Sequence, residues 1–177
     1  MPTLKRAEEI ARDAHITQTD IGGFPYINHP LTIMEKMPTE ELKIIALLHD
    51  VVEDHPDKFS FDSLHEEGFS EAVITALKHL TKEDKEDYWD YIRRIADNDL
   101  AIEVKLADLA HNSDESRIPN PRPKDHARYA KYHKAKKCLE LIREIKKEKS
   151  DLDLSVTSMN SIAETLDKLV NVFRDVE

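Results

Sequence analysis

One cysteine, Cys138, stands in a chain of 177 residues, so no internal disulfide supports the fold and the core must come from apolar packing. Glycine is nearly as scarce, at three residues, which argues against a loop-rich β architecture and against a glycine-rich phosphate loop. Positive charge is in deficit: 26 Lys and Arg face 36 Asp and Glu, for a formal charge of −10. No broad field therefore favours nucleic acid or an anionic membrane, and phosphate chemistry would need cations supplied locally. Apolar runs stop well short of a membrane span, and no N-terminal stretch has the pattern of a signal peptide. With a mean hydropathy of −0.60, the expectation is a soluble, reduced, cytoplasmic protein with neither a nucleic-acid nor a membrane partner. An apolar content of 40% is enough to bury a core, and the length suggests a single domain over 1–177.

What the chain does have is helical periodicity, broken by proline, glycine and short polar runs, with no convincing alternating strand. The expected class is all-α. A first helix is expected from Thr3 to His15, and the DIGGFP segment after it reads as a turn, since paired glycines permit positive φ and Pro25 restricts its predecessor. A short helix starts near Pro30, and a longer one begins after Pro38 with Thr39 as N-cap and Glu40 and Glu41 near the positive end of its dipole. That helix is expected to run through LLHDVVED. Ser60 and Ser70 are read as caps of two further helices, the second reaching Leu80. Helices are also expected over EDYWDYIRRIADN and over DLAIEVKLADLAHNSDES, where Asp99 is the candidate cap. After the proline-rich linker RIPNPRPKD come a long helix over 125–149 and a last one over 158–175 with Ile162, Leu166, Leu169 and Phe173 at core spacing.

The stretch LLHDVVEDHPD, Leu47 to Asp57, places one histidine and three carboxylates in an otherwise core-like run. On a helix of about 100° per residue, Asp50, Glu53 and Asp54 fall about 100°, 40° and 140° from His49, all on one face. Ile44, Ile45, Leu48, Val51 and Val52 take the opposite arc. Adjacent His and Asp are common by chance and fit a solvated helix end. Acids near a helix C-terminus, however, oppose its dipole and call for compensation, which a divalent cation would supply. His29, ahead of Pro30, is either a helix-capping or core histidine or a ligand. Asp108, within the apolar VKLADLAHN, is either a buried acid bonded to Lys105 or a ligand. Together His29, His49, Asp50 and Asp108 offer two imidazoles and two carboxylates, a mixed set suited to one divalent ion, manganese first, with iron or zinc as alternatives.

These residues resemble the H…HD…D pattern of the HD-domain metal-dependent phosphohydrolases. Within that superfamily, AHITQTDIGGFPYINHP, ALLHDVVED, EEGFSEAV with HLTK, and VKLADLAHN resemble, in the same order, blocks of the RelA/SpoT-type guanosine tetraphosphate (ppGpp) hydrolases and their small stand-alone relatives. The similarity runs from about Ala7 to Arg117. It implies an all-α HD helical bundle, His29, His49, Asp50 and Asp108 as metal ligands, and Glu53 and Asp54 in the hydrolytic step. It further implies release of pyrophosphate from a guanosine 3′-diphosphate, without the synthetase domain of the long family members. Lys82 in HLTK is either an exposed lysine or a phosphate contact, and Asn112 either a helix-surface amide or a pocket residue. Tyr132, four residues after Arg128, resembles a nucleotide-facing tyrosine of the small relatives or is a core residue. Tyr88, Trp89 and Tyr91 read as packing, and His111, with the remaining histidines, carries no assigned role.

Three positions, in two of these blocks, depart from the family. Asp20 and Ile21 stand where an Arg-Lys pair usually contacts the nucleotide, and Leu109 stands where arginine often follows the aspartate. The expected function is thus metal-dependent hydrolysis of a small phosphorylated nucleotide. The alternatives are a nucleotidase or phosphodiesterase reaction, or a non-catalytic, metal-stabilised nucleotide-binding module.

Overall fold

The computed structural model describes residues 3–118 and 120–150. Among them all regular structure is helical, as periodicity leads one to expect, apart from one isolated bridge between Thr19 and Pro25. Helix α1, Leu4–Ala14, opens on Thr3, whose hydroxyl accepts from the Arg6 amide, and buries Ala7, Ile10, Ala11 and Ala14. Helix α2, Asn28–Glu35, follows the glycine turn. Helix α3, Glu40–Leu48, starts at Thr39 with Glu40 and Glu41 in its first turn, as expected.

Leu42 and every residue from Ile44 to Leu48 are buried, because α1 and α2 pack on α3. Ile45, Leu47 and Leu48 are at most 1% exposed. Each such side chain gains about 1.5–3 kcal/mol by leaving water. That anchorage lets α3 carry polar groups at its end without drifting.

The single helix expected through LLHDVVED is interrupted. α3 stops at Leu48, His49 and Asp50 form a turn, and a short α4 follows over Val51–Asp54. The reason is local: Nδ1 of His49 lies 2.7 Å from the carbonyl oxygen of Ala46, the acceptor that the Asp50 amide would use in an unbroken helix. A side chain inserted into the ladder in this way bends or ends a helix.

Helix α5, Phe61–Glu66, is entered through a reciprocal Ser60–Ser63 capping box, and α6, Glu71–Leu80, is capped by Ser70. Helix α7, Tyr88–Ala96, starts at Asp87. Helix α8, Asp99–Asn112, is capped by Asn98 and not by Asp99: the Asn98 side chain accepts from the Ala101 amide at 2.9 Å, while Asp99 occupies the first helical position. After a 3₁₀ turn at Glu115–Arg117, α9 runs over Pro123–Ser150. It begins two residues before Asp125 because Pro123 has the φ that a first turn needs. The helix expected over 158–175 lies outside the described residues.

Helices α6 and α8 also pack on α3, α2 touches α8 as well, and α9 lies along α8 and α7. No helix among the described residues is long and apolar enough to cross a membrane. Cys138, on α9, is fully buried, and burial pushes its thiol up to about 11. It is therefore protonated at neutral pH and expected to react with a disulfide reagent only after denaturation, which a thiol titration with and without denaturant would show.

Candidate active site

Helices α2, α3 and α8 touch one another, and each carries one or more of the polar residues singled out above. His29 lies in the first turn of α2, His49 and Asp50 in the break after α3, and Asp108 in the last part of α8. Nε2 of His29 is 3.1 Å from Asp108 Oδ1 and 3.6 Å from Asp50 Oδ2. Nε2 of His49 is 3.1 Å from Asp50 Oδ2 and 3.9 Å from Asp108 Oδ1. Three of these side chains are sealed, at 3–5% exposure, and only Asp50, at 21%, opens outward. Donor atoms of His29, His49 and Asp50 all lie within 4.8 Å of one another, a grouping that can hold a metal ion.

The partners of these residues set their chemistry. His49 turns Nδ1 to the Ala46 carbonyl, so the neutral ring carries its lone pair on Nε2, which is buried beside Asp50 Oδ2 and makes no well-formed hydrogen bond. Once free of its proton, a buried imidazole nitrogen in this setting is what a cation would satisfy. Burial works against a charge on His49, but Asp50 and Asp108 outweigh it and lift the imidazole to about 9. Protons and a divalent ion thus compete for the same nitrogen.

Burial also opposes ionisation of both acids, yet His49 beside Asp50 and Lys105 beside Asp108 hold both below the usual carboxylate range. Lys105 Nζ is 2.9 Å from Asp108 Oδ2, so the buried acid–lysine pairing and a ligand role coexist on different oxygens. Asn112 donates to Asp108 Oδ1 at 2.6 Å, and the Tyr26 hydroxyl donates to Asp50 Oδ2 at 2.6 Å. Two imidazoles, two ionised carboxylates and an orphaned Nε2 fit a divalent cation with mixed nitrogen and oxygen ligands.

Glu53 and Asp54 are held by different partners. Glu53 Oε2 accepts the backbone N–H of Lys82 at 2.6 Å, and burial raises its carboxyl above the ordinary value. Asp54 Oδ2 accepts from Gln18 Nε2 at 2.8 Å. The amide of Gln18 is oriented by two rings: its oxygen lies 2.6 Å from His15 Nδ1 and 3.3 Å from His55 Nε2. The carbonyl therefore faces both imidazoles and the NH₂ faces Asp54.

Two cavities adjoin the cluster. One, of about 480 Å³, is bordered by Asp50, Glu53, Lys82, Lys105 and Lys131. The other, of about 290 Å³, lies beside His29 and is bordered by Asp20, Arg117 and Arg128. Asn112 and Tyr132 line both and stand between them. Tyr88 and Tyr91, expected to be packing alone, also line the first cavity, whereas Trp89 is buried as expected. Lys82 lines the cavity but reaches Glu53 through its backbone amide, and Arg128 is paired with Asp125 at 3.2 Å. A larger recess of about 640 Å³ beside Asp99 and Arg143 contains none of these groups.

Several contacts escaped the sequence. Tyr26 sits three residues before His29 and His111 beside Asn112, so proximity along the chain was a usable signal for both. Gln18 and Arg117 had none for the acids they hold, since Asp54 and Asp20 lie 36 and 97 residues away. Nδ1 of His111 is 2.6 Å from Nδ1 of His29, and burial, with His29 and Arg117 adding to it, pushes His111 down to about 4. His111 is therefore neutral in ordinary buffers.

Fold and site together define an all-α protein with a buried His and carboxylate cluster of the kind that holds a divalent cation. The relatives are more particular, and they resemble the RelA/SpoT type. Over 121 residues, 62% of this chain, it is 36% identical to the bifunctional (p)ppGpp synthase/hydrolase SpoT of Escherichia coli K12, covering 17% of that protein. It is 32% identical to the guanosine-3′,5′-bis(diphosphate) 3′-pyrophosphohydrolase of Haemophilus influenzae over 93% of this chain and 26% of the relative. The corresponding enzyme of Aquifex aeolicus is 32% identical over 62% of this chain and 17% of its own length. The chain thus spans about a sixth to a quarter of the length of these relatives. No family model matches it.

Proposed function

We propose that this chain is a metal-dependent phosphohydrolase of a small phosphorylated nucleotide, and that guanosine 3′,5′-bis(diphosphate) 3′-pyrophosphohydrolysis is its leading reaction. Residues 1–177 act in this reading as one hydrolase domain working in the cytoplasm. The observation that carries it is the convergence of His29, His49, Asp50 and Asp108 beside a lysine-bordered cavity that Asp50, Asp108 and Glu53 line. The activity for which the relatives are named supports the same reaction class.

His29, His49, Asp50 and Asp108 would hold the ion, manganese in the first instance. When bound, such an ion supplies Lewis acidity toward water and toward a phosphoryl oxygen. Asp54, oriented through Oδ2 by Gln18, uses Oδ1 to take a proton from the attacking water. Glu53, kept protonated more readily than an ordinary carboxylic acid, gives its proton to the leaving 3′ oxygen. The bond from phosphorus to that oxygen breaks, and pyrophosphate departs with a 3′-hydroxyl left behind. Lys82 and Lys131 provide positive charge for the phosphates, and Asn112 and Tyr132 border the nucleoside.

A nucleotidase or phosphodiesterase reaction is the second reading. Asp20 favours it, because this acid is committed to Arg117 where the family usually carries nucleotide-binding cations. Manganese-loaded protein is expected to release pyrophosphate from a 3′-diphosphorylated guanosine nucleotide, as resolved by ion-exchange chromatography of a nucleotide panel. Monophosphate release would favour the second reading. No product from any member, with the metal site full, would exclude both.

A further inference from the structure

Asp20 and Arg117 lie 97 residues apart and form an ion pair of 2.8 Å on the wall of the smaller cavity. The pair is built in. Asp20 Oδ1 accepts the backbone N–H groups of Gly22 at 2.9 Å and Phe24 at 3.0 Å, which leaves Oδ2 for the guanidinium. Gly22 permits the close approach, since a Cβ there would stand 2.8 Å from the carbonyl oxygen of Arg117. From this anchor Nη1 of Arg117 reaches His111 Nδ1 at 3.1 Å, the His111 carbonyl at 3.2 Å and Asn112 Oδ1 at 3.3 Å. The other neighbour of His111 Nδ1 is Nδ1 of His29, 2.6 Å away.

A hydrogen bond between two imidazoles can run in either direction, and here the direction matters. If His111 donated, a neutral His29 would carry its proton on Nε2, the atom facing Asp108 and Asp50, and would have no lone pair there for an ion. Arg117 removes that option. A guanidinium has donors only, so a proton on His111 Nδ1 would be aimed at another N–H. His111 Nδ1 therefore accepts, His29 Nδ1 donates, and the lone pair of His29 sits on Nε2.

We propose that Arg117, anchored by Asp20, is a positioning residue that holds His29 in the tautomer able to bind a divalent cation. The proposal rests on His29 being a metal ligand, as in the function proposed above. It also gives the acid at position 20 a role other than nucleotide contact.

The test is metal affinity, measured on the whole chain by competition with a chromophoric chelator for Mn²⁺ and Zn²⁺, alongside thermal melts of the metal-free protein. Arg117→Ala is expected to weaken binding about tenfold, the lower end of the range of about 10–100-fold for losing an outer partner of a ligand. Low-millimolar guanidinium is expected to restore most of it, which a general loss of packing would not allow. Asp20→Asn keeps the two backbone hydrogen bonds and is expected to give a smaller loss. If His29→Ala loses the ion while a folded Arg117→Ala binds as the wild type does, the positioning role is wrong. If His29→Ala also binds normally, the ligand reading fails with it. Nitrogen NMR of ¹⁵N-histidine-labelled, zinc-loaded wild type supplies a readout independent of whether the variants fold: His111 Nδ1 is expected without a proton, and a proton there overturns the proposal.

Discussion

Asp50→Ala is expected to lose the divalent cation and hydrolytic turnover together. Asp50 Oδ2 stands 3.1 Å from His49 Nε2 and 3.6 Å from His29 Nε2, so it faces both imidazoles at once. Its loss removes one of two negative ligands and leaves two buried histidines answered by Asp108 alone. Outer partners of ligands contribute about 10–100-fold in affinity. A ligand placed between both histidines is expected to exceed that range. Elemental analysis after gel filtration should find the variant essentially free of manganese while circular dichroism shows the helices intact. A full metal equivalent retained by Asp50→Ala would exclude Asp50 as an essential ligand.

Glu53→Gln is the second large effect, and it separates an enzyme from a binding module. The amide is nearly isosteric, and its oxygen can still accept the Lys82 amide that Glu53 Oε2 accepts at 2.6 Å, so the segment after α6 stays in place. What disappears is the exchangeable carboxyl proton. General acid catalysis contributes about 10²–10⁴-fold, and turnover is expected to fall by that much with metal content and nucleotide binding preserved. Single-turnover kinetics on the metal-loaded variant, with binding followed by calorimetry, measures both halves of the expectation. If trace turnover were unchanged, Glu53 would have no part in the chemistry and the non-catalytic, metal-stabilised nucleotide-binding module would gain.

The two carboxylates also show how neighbours of similar type acquire different work. Glu53 is exposed like Asp54, yet its carboxyl lies on the cavity wall, where desolvation raises it, and accepts one backbone N–H. Asp54 is exposed and gripped by the side chain of Gln18. A carboxyl raised in this way is suited to donate a proton, and one held through a single oxygen keeps the other free to accept one. That contrast underlies the assignment of the acid to Glu53 and the base to Asp54.

Much of the architecture was legible in the chain. Thr39, Ser60 and Ser70 each precede a helix that they cap, because a cap is a contact within three residues. Choosing between Asn98 and Asp99 as cap was not legible, since both side chains have the acceptor oxygen and only the backbone conformation decides between them. The break at His49 and Asp50 was missed for a related reason. Periodicity records which residues are apolar, and Ala46 to Asp54 keeps its pattern whether or not one carbonyl is diverted to an imidazole.

The sequence by itself determined the all-α class and most of the helix caps, because helix periodicity and capping act between near neighbours. Only the tertiary structure decided that His29 meets His111 across 82 residues, that Gln18 holds Asp54 across 36, and that Asp20 receives Arg117 across 97. Such pairings depend on how α2, α3 and α8 pack. That packing is driven by non-directional apolar burial, and the polar partners it brings together are not written in any local pattern.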